Sequence, residues 1–255
     1  MTFVICEAGV NHNGSVSTAW QLAEAAKDAG ADAVKFQHFN SRRLWGDDRI
    51  AHLELSDAQM SNVAWRCKEV EIEFMCTPFG VPEVAVLRPL VRRWKIASGC
   101  LTRFDLLAAV RATGLPVILS TGMADMARIQ AAVDALGAPT LLHCTSAYPC
   151  PVAEVNLAAM DALRARWGAD CAIGYSDHTP GILIALAAVA RGAVVLEKHL
   201  TLDRAQEGPD HKASIEPKEF RIMVEAIRTI EQAIGRPEKR LQASEVATNA
   251  AWYLQ

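Results

Sequence analysis

The sequences GYSDHTPG at residues 174–181 and VVLEKHLTLD at residues 194–203 decide the interpretation of the whole chain. Each begins with a short apolar run and ends in a cluster of Ser, Asp, Glu, Lys and His. Short, continuous apolar runs are typical of strands in a parallel sheet that is buried on both faces. We therefore predict two neighbouring β-strands whose ends bring His178 and His199 to one site.

Eight such runs recur along the chain, and amphipathic stretches separate them. The predicted strands span residues 3–8, 33–39, 73–77, 94–98, 117–121, 140–145, 172–176 and 194–199. The predicted helices span residues 18–29, 56–70, 81–91, 103–113, 124–136, 153–167, 181–191 and 217–235. Eight strand–helix units in about 240 residues favour an α/β fold with a closed, eight-stranded parallel barrel, the TIM barrel.

The alternative fold is an open, doubly wound sheet. Such sheets usually carry a glycine-rich phosphate loop after one strand, and the sequence has neither a G-x-G-x-x-G nor a Walker-type motif. We assign residues 1–236 to the barrel domain and residues 237–255 to a C-terminal tail or linker. In the tail, the apolar residues Trp252, Tyr253 and Leu254 are expected to dock on the protein.

Composition and charge argue against several classes of function. The chain has 255 residues, about half of them hydrophobic, which is enough for one large core. Its net charge is -3 and its Lys and Arg residues form no basic tract, so we expect no nucleic-acid partner. Without an apolar run of roughly 18 residues or a signal-peptide pattern, we expect a cytoplasmic protein with no membrane partner. The seven cysteines form no C-x-x-C pair, which argues against a disulfide framework and a structural zinc site.

Almost every predicted strand ends in polar side chains. In chain order these are Glu7, Lys35, Gln37, Thr77, Lys95, Ser98, Ser120, Ser146, Tyr148, Ser176, His178 and His199. Burying this many polar groups in a core would be costly. At the carboxyl-end rim of a barrel, by contrast, strand ends converge on one pocket, where barrel enzymes act. We therefore predict that these residues share an active site.

His178 and His199 are the candidate metal ligands. Imidazole is a common ligand for divalent ions, and two protein ligands leave coordination positions open for substrate and water. Asp177 or Glu197 is expected to orient an imidazole by a hydrogen bond from behind. An isolated histidine is more often a simple hydrogen-bonding residue, but two in matching positions on consecutive strands favour a shared ion.

Lys35 and Lys95 each lie within an apolar strand, and a buried lysine needs a nearby anion to keep its proton. Ser98-Gly99, Ser120-Thr121-Gly122 and Ser176 add hydroxyl groups and backbone N–H donors. Together these groups indicate a pocket for a phosphate and a carboxylate. The main alternative mechanism uses a strand-end lysine to form a Schiff base, as in barrel aldolases.

Glu7 ends the first strand, directly before the sequence GVNHNG at residues 9–14. A carboxylate at this position is a candidate general base. A structural ion pair with one of the lysines is an equal alternative from spacing alone. The sequence GPDH at residues 208–211 lies in the long loop after the eighth strand, and we interpret it as a candidate lid or sugar-binding element.

Nine short sequences give the chain its resemblance to the sialic acid synthases, the N-acetylneuraminate synthase family with its legionaminate and pseudaminate relatives. In the order of that family they are EAGVNHNG, GADAVKFQ, CTPF, KIASG, PVILSTGM, LLHCTSAYP, GYSDHTPG, EKHLTLD and GPDH. They cover about residues 3–235. The resemblance implies that phosphoenolpyruvate condenses with the open-chain aldehyde of an N-acylated hexosamine, giving a nonulosonic acid and phosphate.

The resemblance also implies roles for the strand-end residues. A Mn²⁺ or Mg²⁺ ion, held by His178 and His199, polarises the aldehyde, and water attacks the resulting oxocarbenium-like centre. Glu7 matches the carboxylate that deprotonates this water. The matching phosphate contacts are Lys35, Thr77, Ser98, Ser120 and Ser176, with Lys95 at the phosphoenolpyruvate carboxylate. The matching sugar contacts are Tyr148 and Asp210, with Ser146 beside them and Gln37 in the same substrate-binding group.

Two features depart from the family pattern. The family often has a glutamate directly after the K-I-x-S-G string, where it contacts the sugar, and here that position is Cys100. A thiol does not accept hydrogen bonds as a carboxylate does, so the identity of the sugar stays open.

Family members commonly continue into an antifreeze-like C-terminal domain and form domain-swapped dimers, whereas this sequence ends at Gln255. A homodimer is then expected to be held by the barrels, and a catalytically weakened barrel that binds phosphoenolpyruvate or sugar as a subunit or scaffold is the alternative function.

Overall fold

The computed structural model describes residues 1–253, and its centre is one sheet of eight parallel strands. The strands are β1 (Phe3–Gly9), β2 (Ala33–His38), β3 (Glu73–Pro78), β4 (Trp94–Ile96), β5 (Val117–Ser120), β6 (Thr140–His143), β7 (Ile173–Asp177) and β8 (Val195–His199). Their order in the sheet is β3-β2-β1-β8-β7-β6-β5-β4. Because β3 and β4 lie side by side, the sheet curls into a barrel, and the predicted fold class is confirmed.

Helices follow the strands and cover the outside of the barrel. They are α1 (Val16–Asp28), α2 (Ser41–Trp45), α3 (Asp57–Glu69), α4 (Val81–Leu87), α5 (Phe104–Arg111), α6 (Met126–Leu136), α7 (Ala159–Trp167), α8 (Leu183–Ala190), α9 (Pro217–Ile234) and α10 (Val246–Tyr253). The helix α3 begins with a reciprocal cap between Ser56 and Gln59. In the described part of the chain, the helices are all too short or too polar to cross a membrane.

Several boundaries differ from the predicted ones for local reasons. β4 ends at Ile96 because residues 98–100 form a 3₁₀ turn, so Ser98 follows the strand instead of ending it. α7 begins at Ala159 and not at residue 153, because residues 152–154 form a separate 3₁₀ turn. The sequence does not predict α2, since five residues are too few to show a helical period.

Side chains along each strand alternate between the inside and the outside of the barrel. Near the amino ends, the interior holds the apolar cluster Ile5, Ala33, Met75, Ile118, Leu142 and Val195. Two residues further along five of these strands, the same face carries Glu7, Lys35, Thr77, Ser120 and Glu197. We call these five residues, together with Lys95 of β4 and Ser176 of β7, the polar layer. The two-residue period therefore places polar groups directly above an apolar floor.

The larger apolar core lies between the barrel and its helices. The segment after α9 contributes little to it, because almost every residue from 237 to 252 is exposed. Trp252 is 78% exposed, which corrects the expectation that this side chain docks on the protein. The same expectation for Leu254 lies outside the described residues, and for Tyr253 the description covers the backbone only.

Candidate active site

Four charged side chains meet in the polar layer. The Lys35 ammonium contacts the Glu7 carboxylate and lies 3.6 Å from Glu197 Oε2. Lys95 Nζ lies 3.3 Å from Glu197 Oε1. All four residues are 3% exposed or less. Each buried lysine therefore has the nearby anion that the sequence required, and Glu7 makes the ion pair with a lysine that is one of the two interpretations of this residue.

The two glutamates of the polar layer differ in acidity. Burial disfavours the charged form of both. For Glu7 burial is the largest influence, only partly offset by Lys35, and it raises the pKa to about 7. Glu197 lies between Lys35 and Lys95, whose positive charges outweigh its burial and lower its pKa to about 2. At neutral pH, Glu197 is a constant anion, whereas Glu7 gains and loses a proton.

Hydroxyl groups from the ends of β4, β5 and β6 gather around Gly122. The Gly122 backbone N–H donates to Ser98 Oγ at 3.0 Å. A Cβ atom at Gly122 would overlap Ser146 Oγ and lie 2.9 Å from Ser98 Oγ, so only glycine fits here. Within residues 1–253, the buried hydroxyl oxygens of Ser120 and Ser146 have no hydrogen-bond partner. Buried hydroxyls in this condition are suited to bind an anion such as phosphate.

His178 and His199 lie together at the ends of β7 and β8, and their ring centroids are 5.6 Å apart. His178 Nδ1 is 2.7 Å from the carbonyl oxygen of Thr145. Since a carbonyl only accepts, Nδ1 carries the proton, and the lone pair of the neutral ring lies on Nε2. The Tyr148 ring adjoins both imidazoles, with its centroid 4.2 Å from that of His178 and 5.7 Å from that of His199.

The imidazole pair fits the donor set that a divalent ion would need. Burial lowers the pKa of both His178 and His199, so both rings are neutral at neutral pH. Among the described residues, His199 Nδ1 is buried without a hydrogen-bond partner. The same part of the chain has no cluster of three or more His, Cys, Asp or Glu residues arranged to hold an ion. A metal held by two histidines, with its other positions open, therefore stays a prediction.

Gln37 and Asp210 adjoin the polar layer close to Glu7, where all three side chains approach Gly9. Gln37 Nε2 lies 3.5 Å from Glu7 Oε1. Asp210 Oδ2 lies 3.8 Å from His199 Nδ1, and burial raises the pKa of Asp210 to about 6. A Cβ atom at Gly9 would stand 3.1 Å from Glu7 Oε1 and 3.2 Å from Asp210 Oδ2. Because residue 9 is a glycine, the space between these two carboxyl groups stays open.

Hydrogen bonds fix the loop that carries Asp210 to the loop after β1. Asn11 Nδ2 donates to the Leu200 carbonyl oxygen and to Ser214 Oγ, each at 2.8 Å. Ser214 Oγ in turn donates to the Asp210 carbonyl oxygen at 2.7 Å. The position of Asp210 therefore depends on Asn11 and Ser214. The sequence interpretation singled out this loop but gave no role to these two residues.

Three residues differ from their predicted places. Asp177 faces the outside of the barrel, because it directly precedes the inward-facing His178. It therefore does not orient an imidazole, and the Thr145 carbonyl oxygen orients His178 instead. Glu197 likewise contacts the lysines of the polar layer, and it accepts a hydrogen bond from Ser176 Oγ at 2.9 Å. Cys100 is 1% exposed and packs among the apolar residues of the outer core, so its thiol does not face open solvent.

Sequence comparison places the chain among known proteins. The sequence profile of the NeuB family matches residues 22–239. The chain is 41% identical to the N,N'-diacetyllegionaminic acid synthase of Campylobacter jejuni, over 96% of this chain and 80% of that protein. It is 36% identical to the N-acetylneuraminate-9-phosphate synthase of Homo sapiens, over 97% of this chain and 75% of that protein.

Structure comparison agrees with the sequence comparison. A crystal structure of N-acetylneuraminic acid (sialic acid) synthetase from Leptospira borgpetersenii, in complex with citrate, matches this fold with a TM-score of 0.92 at 36% identity. The match covers 100% of this chain and 93% of that chain. The family resemblance seen in the nine short sequences is thus confirmed across the whole barrel. The chain belongs to the NeuB family and is an enzyme of the sialic-type acid synthase class.

Proposed function

We propose that this enzyme condenses phosphoenolpyruvate with the open-chain aldehyde of an N-acylated hexosamine, such as N-acetylmannosamine, to give a nonulosonic acid and phosphate. The observation that carries the proposal is that two buried lysines meet at Glu197, which Ser176 links to the pair of neutral imidazoles. The relatives compared above are synthases of sialic-type acids, which supports the product class.

Phosphoenolpyruvate has two anionic groups, and the pocket offers two groups of donors. We assign the phosphate to Lys35, Thr77, Ser98, Ser120 and Ser176, and the carboxylate to Lys95. Lys35 already donates to Thr77 Oγ1 at 3.1 Å, so its ammonium group points along this side of the pocket. Preorganised donors of this kind stabilise the negative charge of the phosphate as it leaves.

The bonds of the proposed reaction balance without a further reactant except water. C3 of phosphoenolpyruvate bonds to the aldehyde carbon and water adds to C2. The bond from C2 to the phosphate-bearing oxygen then breaks, the new C2 hydroxyl becomes the keto oxygen, and its proton leaves with the phosphate. Glu7 takes a proton from the water, and a carboxylate with a pKa of about 7 suits this task at neutral pH. The aldehyde oxygen takes up a proton and becomes a hydroxyl group. When held by His178 and His199, a Mn²⁺ or Mg²⁺ ion would polarise the aldehyde carbonyl.

The acceptor sugar would bind on the side of Glu7 that faces Asp210. Tyr148 is 45% exposed and stands beside both imidazoles, so it can contact a sugar that reaches toward the metal-binding pair. Asp210 and Gln37 offer polar groups for sugar hydroxyls.

Phosphate release in the presence of Mn²⁺, phosphoenolpyruvate and N-acetylmannosamine or related sugars tests the proposal. We expect phosphate to be released only when a sugar is present. When the water is labelled with ¹⁸O, we expect the label in the acid product and not in the phosphate. His199→Ala should abolish this turnover while the barrel stays folded by circular dichroism. If no sugar of this class releases phosphate, or if the phosphate carries the label, the proposal is wrong.

A Schiff-base aldolase is the second candidate, and one observation favours it. Burial lowers the pKa of Lys95, which increases the share of the nucleophilic free amine. Incubation with pyruvate and borohydride, without metal, would then add a reduced adduct to Lys95. The synthase proposal predicts no adduct under these conditions, and mass spectrometry of the treated protein separates the two candidates.

A further inference from the structure

A buried ion pair lies on the outer face of the barrel, directly behind the two imidazoles. Lys198 Nζ is 2.7 Å from Asp177 Oδ2, and both residues are 0% exposed. Asp177 and Lys198 are register partners of β7 and β8. Because side chains alternate along a strand, this pair points outward where the following residues, His178 and His199, point inward.

Lys198 holds the chain on both sides of His178. Besides the Asp177 carboxylate before His178, the Lys198 ammonium donates to the carbonyl oxygen of Thr179, which follows it. Asp177 Oδ1 also accepts from the Thr179 backbone N–H at 3.0 Å and from Thr179 Oγ1 at 2.9 Å. Lys198 itself directly precedes His199. One ammonium group therefore joins the two short segments that carry the imidazoles.

Stability gives no reason for a charged pair at this place. Removing two charges from water costs about as much as their attraction returns, and well-packed apolar residues of similar volume are often as stable. The proposed reaction does not use Lys198 or Asp177 either. The pair's hydrogen bonds instead tie the Asp177 side chain, just before a candidate metal ligand, to the backbone of Thr179 just after it.

We infer that Lys198 is a positioning residue, which sets the separation and direction of the His178 and His199 imidazoles through Asp177 and Thr179. This inference rests on the proposed function in one respect, since it takes a divalent ion as the ligand of the two rings. Groups that orient metal ligands without touching the metal typically change metal affinity about 10- to 100-fold when they are removed.

The test compares Lys198→Met with Arg93→Met, which removes an ion pair with Glu73 near the start of β3, at the other end of the barrel. Mn²⁺ affinity is measured by electron paramagnetic resonance, and phosphoenolpyruvate affinity by calorimetry. We expect Lys198→Met to weaken Mn²⁺ binding about 10- to 100-fold and to leave phosphoenolpyruvate binding unchanged. Arg93→Met should leave both affinities unchanged. A folded Lys198→Met variant with the wild-type Mn²⁺ affinity would overturn the inference.

Two further measurements cover the cases in which the single variant does not fold or the protein binds no Mn²⁺. If Lys198→Met does not fold, Asp177→Leu combined with Lys198→Met removes both charges, and the same loss of Mn²⁺ affinity is expected. Imidazole nuclear magnetic resonance of the apo protein reports the His178 Nδ1–H proton, which the Thr145 carbonyl holds in the wild type. This proton should broaden or vanish in the double variant, even if the wild type binds no Mn²⁺ and the proposed metal role fails. An unchanged proton signal would overturn the inference whatever the metal result.

Discussion

Glu7 and Glu197 are the same residue type in the same buried layer, yet they differ in their protonation. Glu197 has two lysines close by, and its pKa falls to about 2 despite its burial. Glu7 is buried with Lys35 as its close partner and Glu197 as a nearby negative charge, and its pKa rises to about 7. This difference in acidity gives the two carboxyl groups different roles: Glu197 stays charged, whereas Glu7 can carry a proton.

The acidity of Glu7 predicts the pH dependence of the enzyme. A carboxyl group with a pKa of about 7 is protonated below that pH and can accept a proton only above it. We therefore expect kcat/KM to fall about tenfold per pH unit below pH 7 and to level off above it. Glu7→Gln should lower kcat roughly 100- to 10,000-fold and remove this acid limb. An identical acid limb in the variant would assign the titration to another group.

At the scale of single elements, the loop after β5 depends on the absence of a side chain at Gly122. A methyl group there would overlap Ser146 Oγ and displace the Ser98 hydroxyl from the proposed phosphate site. We expect Gly122→Ala to weaken phosphoenolpyruvate binding roughly 10- to 100-fold by calorimetry, the loss of about one charge-assisted hydrogen bond. Gly99→Ala is the matched control, since a Cβ atom at Gly99 meets nothing within 4 Å. Equal phosphoenolpyruvate affinities in the two variants would contradict this role for Gly122.

The loop after β1 makes folding stability sensitive to acid through His12. This ring is 0% exposed, and its Nδ1 accepts from the Gly14 N–H at 3.1 Å. Burial lowers the pKa of His12 to about 4, whereas an unfolded chain protonates histidine near pH 6.5. As the pH falls from 6.5 to 4, His12 binds a proton in the unfolded state but not in the folded state, so the free energy of unfolding declines. The expected loss is about 3 kcal/mol by pH 4.

His12→Gln isolates this contribution from the other groups that titrate in the same range. The free energy of unfolding in urea is measured for both proteins at pH 7.5 and at pH 5. The stability advantage of the wild type should shrink at pH 5, because glutamine takes up no proton. A constant difference between the two proteins at both pH values would mean that His12 does not titrate as its burial requires.

The elements of the barrel were more predictable than the side-chain contacts between them. Continuous apolar runs mark strands buried on both faces, and each predicted strand lies within a few residues of an observed one. The polar layer was also predictable, since strand-end residues of a barrel face one pocket. Cys100 shows where this fails: beyond β4 the chain enters a 3₁₀ turn, and the two-residue period no longer says which way a side chain points.

Contacts between strands were not predictable in the same way. Asp177 and Glu197 both precede a candidate ligand closely in sequence, and proximity suggested that either could orient an imidazole. The structure separates them by face, with Asp177 outside and Glu197 inside the barrel. The Thr145 carbonyl does contact His178, but it is a backbone group that every residue type has, so the sequence cannot predict this contact.

At the scale of the whole molecule, the barrel brings four residues that are distant in sequence to the same end of its interior. Lys35, Lys95, His178 and His199 are separated by as many as 164 residues in sequence. The parallel strands of the curled sheet deliver them to one end of the interior, above an apolar floor. The family, the fold and the geometry of the pocket therefore support the same class of enzyme.

The most direct test of this account is a crystal soaked with Mn²⁺ and phosphoenolpyruvate, with anomalous data collected at the manganese absorption edge. The account predicts one anomalous peak within coordination distance of both His178 and His199. It also predicts the phosphate of phosphoenolpyruvate beside Gly122 and Lys35, and its carboxylate at Lys95. A manganese peak away from the two imidazoles, or phosphoenolpyruvate bound outside the polar layer, would contradict it.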